Sequence, residues 1–514
     1  MNYKEIAYEL VSTKEENPSL IVTIDGKAQA LHSKVYPSKE ADSMRSDLEV
    51  AAFDTCFVLG VGVGYHLIAL LEFAAQYKNI VLIDILPSAR ANIESSKACK
   101  FLLEKENIRL LSGLSLDKLR EALPETLFLD ENEKIKILTH AASMRIFGEY
   151  YEAVRNEIMS FINSKAGNMA TLRAFGRQYA RNSIKNIANM PRMYPVKNLR
   201  EKFSNKSAIV ITSGPTAEKS MCALAEAASR VFIIAVDSAL PVCAAFGLRP
   251  DFVVSVDPQS YISEHLAGFW DEPLKVITSL SAWPCKLSNT KSNWQVFCSL
   301  NSHPLAQLIE EFSPNSVGSI NSGSGSVAGD ALLFAIYCGF SQIALTGFDF
   351  AFIDGIIYSR GTAYQRRYAE IFQNRLSSAE TLNFNYIKKS SLSVRENGLY
   401  TRRVFGQYKK SIEELLQGAR DSKLFHIDPP LVALESCEQS TMDEFLRMFC
   451  KTDIDKQQVA SISAKPLQDT IDFSKLMKLL EEDEIFNKLM TASLGETNKS
   501  YDSFREMLRS VIVK

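Results

Sequence analysis

Residues 208–220 read AIVITSGPTAEKS, residues 231–258 read VFIIAVDSALPVCAAFGLRPDFVVSVDP, and residues 322–362 read SGSGSVAGDALLFAIYCGFSQIALTGFDFAFIDGIIYSRGT. Apolar runs rich in Val and Ile end at Asp237, Asp257 and Asp349. Such runs, separated by short helix-like stretches, predict a parallel α/β sheet buried on both faces. In open sheets of this kind ligands sit beyond the carboxyl ends of the strands, so the three acids predict a polar-lined crevice there. The chemistry of this chain is therefore expected in its middle third.

Composition narrows the alternatives. A chain of 514 residues exceeds one compact core and predicts several domains. The formal net charge of −2 argues against a general nucleic-acid binder, which needs a basic surface to neutralise phosphates. The opening MNYKEIAYEL carries acids and no apolar core of signal-peptide length, so a cytoplasmic protein is expected. The longest apolar stretches, near 231–248 and 331–352, are broken by polar residues or Gly and read as buried elements, not membrane spans. Nine cysteines without a CxxC pair and six dispersed histidines predict reduced thiols and offer no metal-ligand motif.

Upstream, VLGVGVGYHL (58–67) leads from a short apolar run through Gly60, Gly62 and Gly64 into a helix-like segment, and IVLID (80–84) follows with Asp84 at its end. This looks like the first βαβ unit of a dinucleotide or methyl-donor fold; the same glycines also serve simply to let a helix pack closely on a strand. Residues 145–190 are rich in helix formers and predict a helical connector, and MPRMYPVKNLREKFSNK (190–206) separates it from the next strand. From 409–420 and again from 466 onward, apolar residues recur at helical spacing, as in FSKLMKLLEEDEIFNKLM (473–490). The division expected is an N-terminal Rossmann-like α/β domain (1–165), a central α/β domain with a mostly parallel sheet (166–385) and a mainly helical C-terminal domain (386–514).

Within the middle third, Ser213, Gly214 and Pro215 form a strand-to-helix turn with amides suited to a phosphate. Asp237 and Asp257 can accept hydrogen bonds from sugar hydroxyls, or cap the segments that follow them. The run Ser322, Gly323, Ser324, Gly325 and Ser326 opens directly onto an apolar helix and can form a nest for anionic oxygens, without the Lys of a Walker loop. Asp349, Tyr358, Arg360 and Thr362 bring a carboxylate, a phenol, a guanidinium and a hydroxyl toward the same crevice.

The ordered set SGPT (213–216), AVDSAL (235–240), LRPDFVVSVDP (248–258), SGSGSVAGDA (322–331), LTGFDFAF (345–352), DG (354–355) and YSRGT (358–362) resembles the motility-associated factor (Maf) family of bacterial flagellin glycosyltransferases. That family shares its central domain with 6-hydroxymethylpterin pyrophosphokinase-like proteins. The resemblance implies a sialyltransferase-like central domain and transfer of a nonulosonic acid, pseudaminic or legionaminic in type, from a CMP-activated donor to Ser or Thr of flagellin in support of motility. It implies no required cofactor beyond the donor and leaves a divalent metal open. In such a reaction donors at the departing phosphate matter most, and Tyr358 and Arg360 are the candidates. Asp257 or Asp349 is the candidate base. The alternatives are a pterin pyrophosphokinase using ATP and Mg²⁺ through Asp237, Asp257 and Asp349, a SAM-dependent methyltransferase using Gly60, Gly62, Gly64 and Asp84, and a flagellin-binding protein without activity.

Overall fold

A computed structural model of the chain describes residues 6–42, 45, 53–126, 134–283, 293–353, 356–364, single positions between 381 and 388, 393–396, 399–419, 421–428, 430–456, 465–494 and 501–512. Asp354 and Gly355 of the DG motif lie outside these. The chain divides into two compact units, Met1–Thr171 and Leu172–Lys514.

The first unit holds an antiparallel sheet of β1 (Ala7–Val11), β2 (Ser19–Ile24) and β3 (Lys27–Ala30). It also holds a parallel sheet in the order β6-β5-β4-β7, from β4 (Thr55–Leu59), β5 (Asn79–Asp84), β6 (Ile108–Ser112) and β7 (Ile135–Thr139). Strand β4, TCFVL, is buried along its whole length, as a central parallel strand requires. The chain leaves β4 first toward β5 and β6, then crosses back to place β7 on the other side of β4. The boundary between β4 and β7 is thus the point where strand order reverses.

A helical segment, Ala141–Ile187, follows; Phe147 departs from helical angles within it. Among its described residues the second unit is built on nine parallel strands, side by side in the order β18 (Glu438–Ser440), β17 (Lys423–Ile427), β14 (Gln342–Thr346), β9 (Ser207–Ile211), β10 (Phe232–Val236), β11 (Phe252–Val254), β12 (Lys275–Ser279), β13 (Gln295–Ser299) and β8 (Tyr194–Pro195). A hairpin of β15 (Ser393–Glu396) and β16 (Leu399–Arg402) precedes β17 (Lys423–Ile427) and β18 (Glu438–Ser440). The expected α/β class with a mostly parallel sheet is therefore what the chain adopts.

Strands β9 and β10, SAIVI and FIIAV, are buried throughout. On one side of them Phe203, Phe232, Phe252, Phe334 and Phe340 interlock, with Phe203 stacked on Phe340 at 4.9 Å. Burying each such ring contributes about 1.5–3 kcal/mol. Helices of the C-terminal part, Phe473–Glu481, Asp483–Leu494 and Asp502–Ile512, close a further core containing Val276, Val296 and Leu305. The apolar periodicity of 473–490 runs on in sequence, yet Glu482 turns extended (φ −65°, ψ 122°) and divides it into two helices. The C-terminal part is mainly helical and also extends the sheet by β17 and β18; KLFHI is one short apolar run that periodicity alone does not separate from a helix turn.

Candidate functional site at the carboxyl ends of the central sheet

Strand order in the large sheet reverses between β9 and β14, and the turns that follow these two strands meet. Thr212 N donates to Thr346 O at 3.0 Å. Thr216 donates its amide and its hydroxyl to Asp349, at 2.8 and 2.7 Å. A Cβ on Gly214 would lie 2.0 Å from Gly347 O and 2.5 Å from Asp349 Oδ2, so glycine at 214 is required by close approach. The loop after β14 returns to the same turn: Ser359 N donates to Ser213 O at 2.9 Å, and the Ser359 hydroxyl donates to Gly214 O. Ser213, Gly214, Pro215 and Asp349 are thereby brought together with the YSRGT segment. Asp349 is only 3% exposed, and burial raises its pKa while the Thr216 bonds pull the other way. Its oxygens hold the turn in place.

The next two strand ends carry the other two acids. Asp237 is buried, accepts Ser238 N at 2.7 Å and the Ser255 hydroxyl at 2.8 Å, and its pKa is pushed up to about 7, first by burial and further by the negative charge of Asp257. Ser238 in turn gives its hydroxyl to Ser213 Oγ at 2.9 Å, which ties the β10 end to the β9 turn. Asp257 is only part-buried. It accepts Gln259 N at 2.8 Å, an Asx turn, and the Tyr261 hydroxyl at 3.0 Å. Gln178 and Asn182 fix the following residue by donating to Pro258 O at 2.7 and 2.9 Å, and Asn186 donates to Leu280 O and Ala282 O beyond β12. One face of the connector helix thus sets the position of the Asp257 loop.

Around Asp257 lies a group of phenols that the motifs alone did not indicate. Tyr358 stacks on Tyr364 with centroids 4.4 Å apart and planes 10° off parallel, and Tyr261 and His265 pack against Tyr364. Burial raises the pKa of both Tyr261 and Tyr364 well above the ordinary phenol value. Tyr179 and Tyr408 are raised in the same direction, by burial and then by the Asp257 charge, which places them in its surroundings. Tyr261 stands four residues after Asp257 and Tyr364 six after Tyr358, spacings that carry no signature until the loops are folded.

The serine loop is largely satisfied by itself. Ser324 N and Ser326 N donate to the hydroxyls of Ser322 and Ser324, both at 3.2 Å, and the Ser326 hydroxyl caps the helix Val327–Tyr337 by accepting Gly329 N. Gly323 and Gly325 take φ of 64° and 72°, the left-handed region. Asp330 reaches back to accept Ser322 N at 2.7 Å, so the loop presents hydroxyls above a half-buried carboxyl. A Cβ on Gly325 would touch Tyr408 at 3.4 Å, which links the loop to the phenols around Asp257. Arg360 is exposed. Thr362 is fully buried, and among the described residues its hydroxyl has no hydrogen-bond partner.

The N-terminal glycine turn belongs to the other unit. Gly60, Gly62 and Gly64 take φ of 86°, 57° and 98°. Asp84 accepts the amides of Val61, Gly62 and Leu86 at 2.6, 2.9 and 2.8 Å, so it holds the turn. Side chains occupy the space beside the glycines: a Cβ on Gly60 would lie 2.3 Å from Ser143 Cβ, and one on Gly62 2.4 Å from His32 Nε2.

Residues 181–355 match the family model described as 6-hydroxymethylpterin diphosphokinase MptE-like. Three curated proteins of Treponema pallidum (strain Nichols), each described as an uncharacterized protein, are similar to parts of the chain. One is 28% identical over 161 residues, 30% of this chain and 56% of the relative. Another is 36% identical over 89 residues, 17% and 41%, and a third 26% identical over 227 residues, 43% and 39%. The matches thus span between 39% and 56% of those relatives' lengths. Among solved structures, the MAf glycosyltransferase from Magnetospirillum magneticum AMB-1 superposes with a TM-score of 0.59 at 14% identity, covering 98% of this chain and 86% of that one. Over nearly its whole length the chain therefore has the fold of that glycosyltransferase, with an MptE-like segment at its centre.

Proposed function

We propose that this chain is a glycosyltransferase that moves a nonulosonic acid, pseudaminic or legionaminic in type, from a CMP-activated donor to Ser or Thr of flagellin in the cytoplasm. The observation that carries the reading is the fold likeness over 98% of the chain, combined with Asp237, Asp257 and Asp349 standing at the carboxyl ends of strands around the strand-order reversal of the large sheet. In this reaction the acceptor hydroxyl attacks the anomeric carbon, CMP departs with the bonding electrons, and the hydroxyl proton passes to a base. Asp257 suits that role because it is the part-exposed acid, and Tyr261 and Gln259 N fix its two oxygens. Tyr358 and the exposed Arg360 face the growing negative charge on the departing phosphate. The Ser213–Pro215 turn, Asp237, the hydroxyls of Ser322–Ser326 and Thr362 hold the nucleotide and sugar. The test is the intact mass of flagellin produced with and without this chain in cells that make the CMP-sugar. A shift of one or more nonulosonic acid masses supports the reading, and identical masses reject it.

The match of residues 181–355 favours one second reading, diphosphate transfer from ATP to a hydroxymethyl pterin. It would use Asp237, Asp257 and Asp349 around Mg²⁺, and the engagement of Asp349 by Thr216 opposes it. Formation of pterin diphosphate by the purified chain would decide for it.

A further inference from the structure

Three of the six histidines, far apart in sequence, meet in the first unit. His32 follows β3, His66 follows the glycine turn after β4, and His140 follows β7 directly, with its amide on Leu59 O at 2.9 Å. All three are buried. The rings of His66 and His140 stack at 4.1 Å, and His32 lies 5.1 Å from His140 and 5.9 Å from His66, centroid to centroid. With Glu40 they form a set whose ligand atoms all lie within 4.8 Å of one another.

Each imidazole has one nitrogen tied to an outer partner. His32 Nδ1 meets Glu40 Oε2 at 2.6 Å, and Ser33 N holds the other oxygen of that carboxylate at 2.8 Å. His66 Nε2 meets Gly60 O at 3.1 Å, which makes it the protonated nitrogen. His140 Nδ1 meets Ser143 Oγ at 2.9 Å. A carboxylate, a carbonyl and a hydroxyl are the groups that orient imidazoles around a metal ion. The remaining His66 nitrogen, Nδ1, is an acceptor buried without a hydrogen-bond partner among the described residues. Burying an unmatched acceptor beside two other imidazoles is unfavourable in an apo protein, and a cation supplies what it lacks. The cluster also stands at the strand-order reversal between β4 and β7, where open α/β sheets place ligands.

We propose that the first unit binds one divalent transition metal ion of the zinc type through His32, His66 and His140, with Glu40 orienting His32. His66 contributes Nδ1. His32 contributes Nε2, which now accepts Val63 N at 2.9 Å and exchanges that bond for the metal. Ligand atoms of a tetrahedral zinc site lie about 3.4 Å apart, given Zn–N distances of about 2.0–2.1 Å, so binding draws the rings inward and opens their stack. Imidazole ligands suit Zn²⁺, and they equally accept Co²⁺ as a visible probe. The ion would pin the segment carrying His32 and Glu40 onto the glycine turn.

The full chain, stripped with chelator, is titrated with Co²⁺ and then Zn²⁺, and metal content is measured after desalting. One equivalent per chain is expected, with a Co²⁺ visible spectrum of nitrogen ligation that Zn²⁺ abolishes. His66→Ala with His140→Ala should lose the equivalent, and Glu40→Gln should weaken binding by about 10–100-fold. If the double variant does not fold, X-ray absorption of the Zn²⁺-loaded wild type decides, because imidazole scattering from several ligands is required. No retained metal, a zinc spectrum without imidazoles, or an unchanged equivalent in the folded double variant would overturn the proposal.

Discussion

Thr216 gives both its amide and its hydroxyl to the carboxylate of Asp349, which closes the turn after β9 onto the turn after β14. Hydrogen bonds to a charged group contribute about 1.5–3 kcal/mol, and a donor left buried without a partner costs about 1–3 kcal/mol. Thr216→Ala should therefore lower the unfolding free energy by about 2 kcal/mol, and Asp349→Ala, which strands both donors, by about 3 kcal/mol. Urea unfolding measures this. Losses under about 0.5 kcal/mol in both variants, the usual range of surface substitutions, would show that the clasp is not structural.

Gly214 and Gly323 differ in why they are glycines. At Gly214 an added Cβ meets the Gly347 carbonyl, which cannot move aside, whereas at Gly323 it meets open space and only the positive φ opposes it. Gly214→Ala should cost about 3 kcal/mol or more and Gly323→Ala about 1 kcal/mol. Thermal unfolding of the two variants side by side checks the order, and a Gly323 variant weaker than the Gly214 variant contradicts it.

Asp237 sets a pH dependence. Its pKa in the folded chain is about 7, raised above the unfolded value chiefly by burial. A raised acid binds its proton more tightly when folded, so its contribution to stability is complete below about pH 4 and is lost as pH rises through about 7. At about 1.4 kcal/mol per unit the loss is on the order of 4 kcal/mol. Asp237→Asn mimics the protonated form, so the stability of wild type relative to this variant should fall between pH 4 and pH 7. Parallel pH profiles would remove Asp237 as the titrating group.

Much of this was legible in the chain. Buried Val- and Ile-rich runs ending in Asp predicted the parallel sheet, and SGPT, SGSGSVAGDA and YSRGT marked the turns around its carboxyl ends. Periodicity does not report which turns touch, so the use of Asp349 as a clasp and of Asp84 as the acceptor for its own glycine turn emerged only from the folded geometry. The phenols around Asp257 come from four segments, and His32, His66 and His140 from three, so neither group forms a motif along the sequence.

The buried hydroxyl of Thr362 gives a test that separates binding from folding. Among the described residues it has no partner, so Thr362→Val removes a polar group costing about 1–3 kcal/mol and should leave stability equal or higher. If that hydroxyl receives the donor sugar, the donor KM should rise about tenfold, the equivalent of one hydrogen bond of about 1.4 kcal/mol. Lower stability with unchanged KM would assign Thr362 to the fold alone.

In the proposed reaction the turns at the carboxyl ends of the large sheet hold an activated sugar, and Asp257, just past β11, takes the acceptor proton. The most direct measurement combines purified chain, unmodified flagellin and CMP-pseudaminic or CMP-legionaminic acid, and reads intact flagellin mass together with released CMP. Added sugar masses matched by CMP are expected for the wild type, and loss of at least a hundredfold in rate, the usual scale of general base catalysis, for folded Asp257→Ala. Flagellin of unchanged mass with both donors, or wild-type rates in the folded variant, would contradict it.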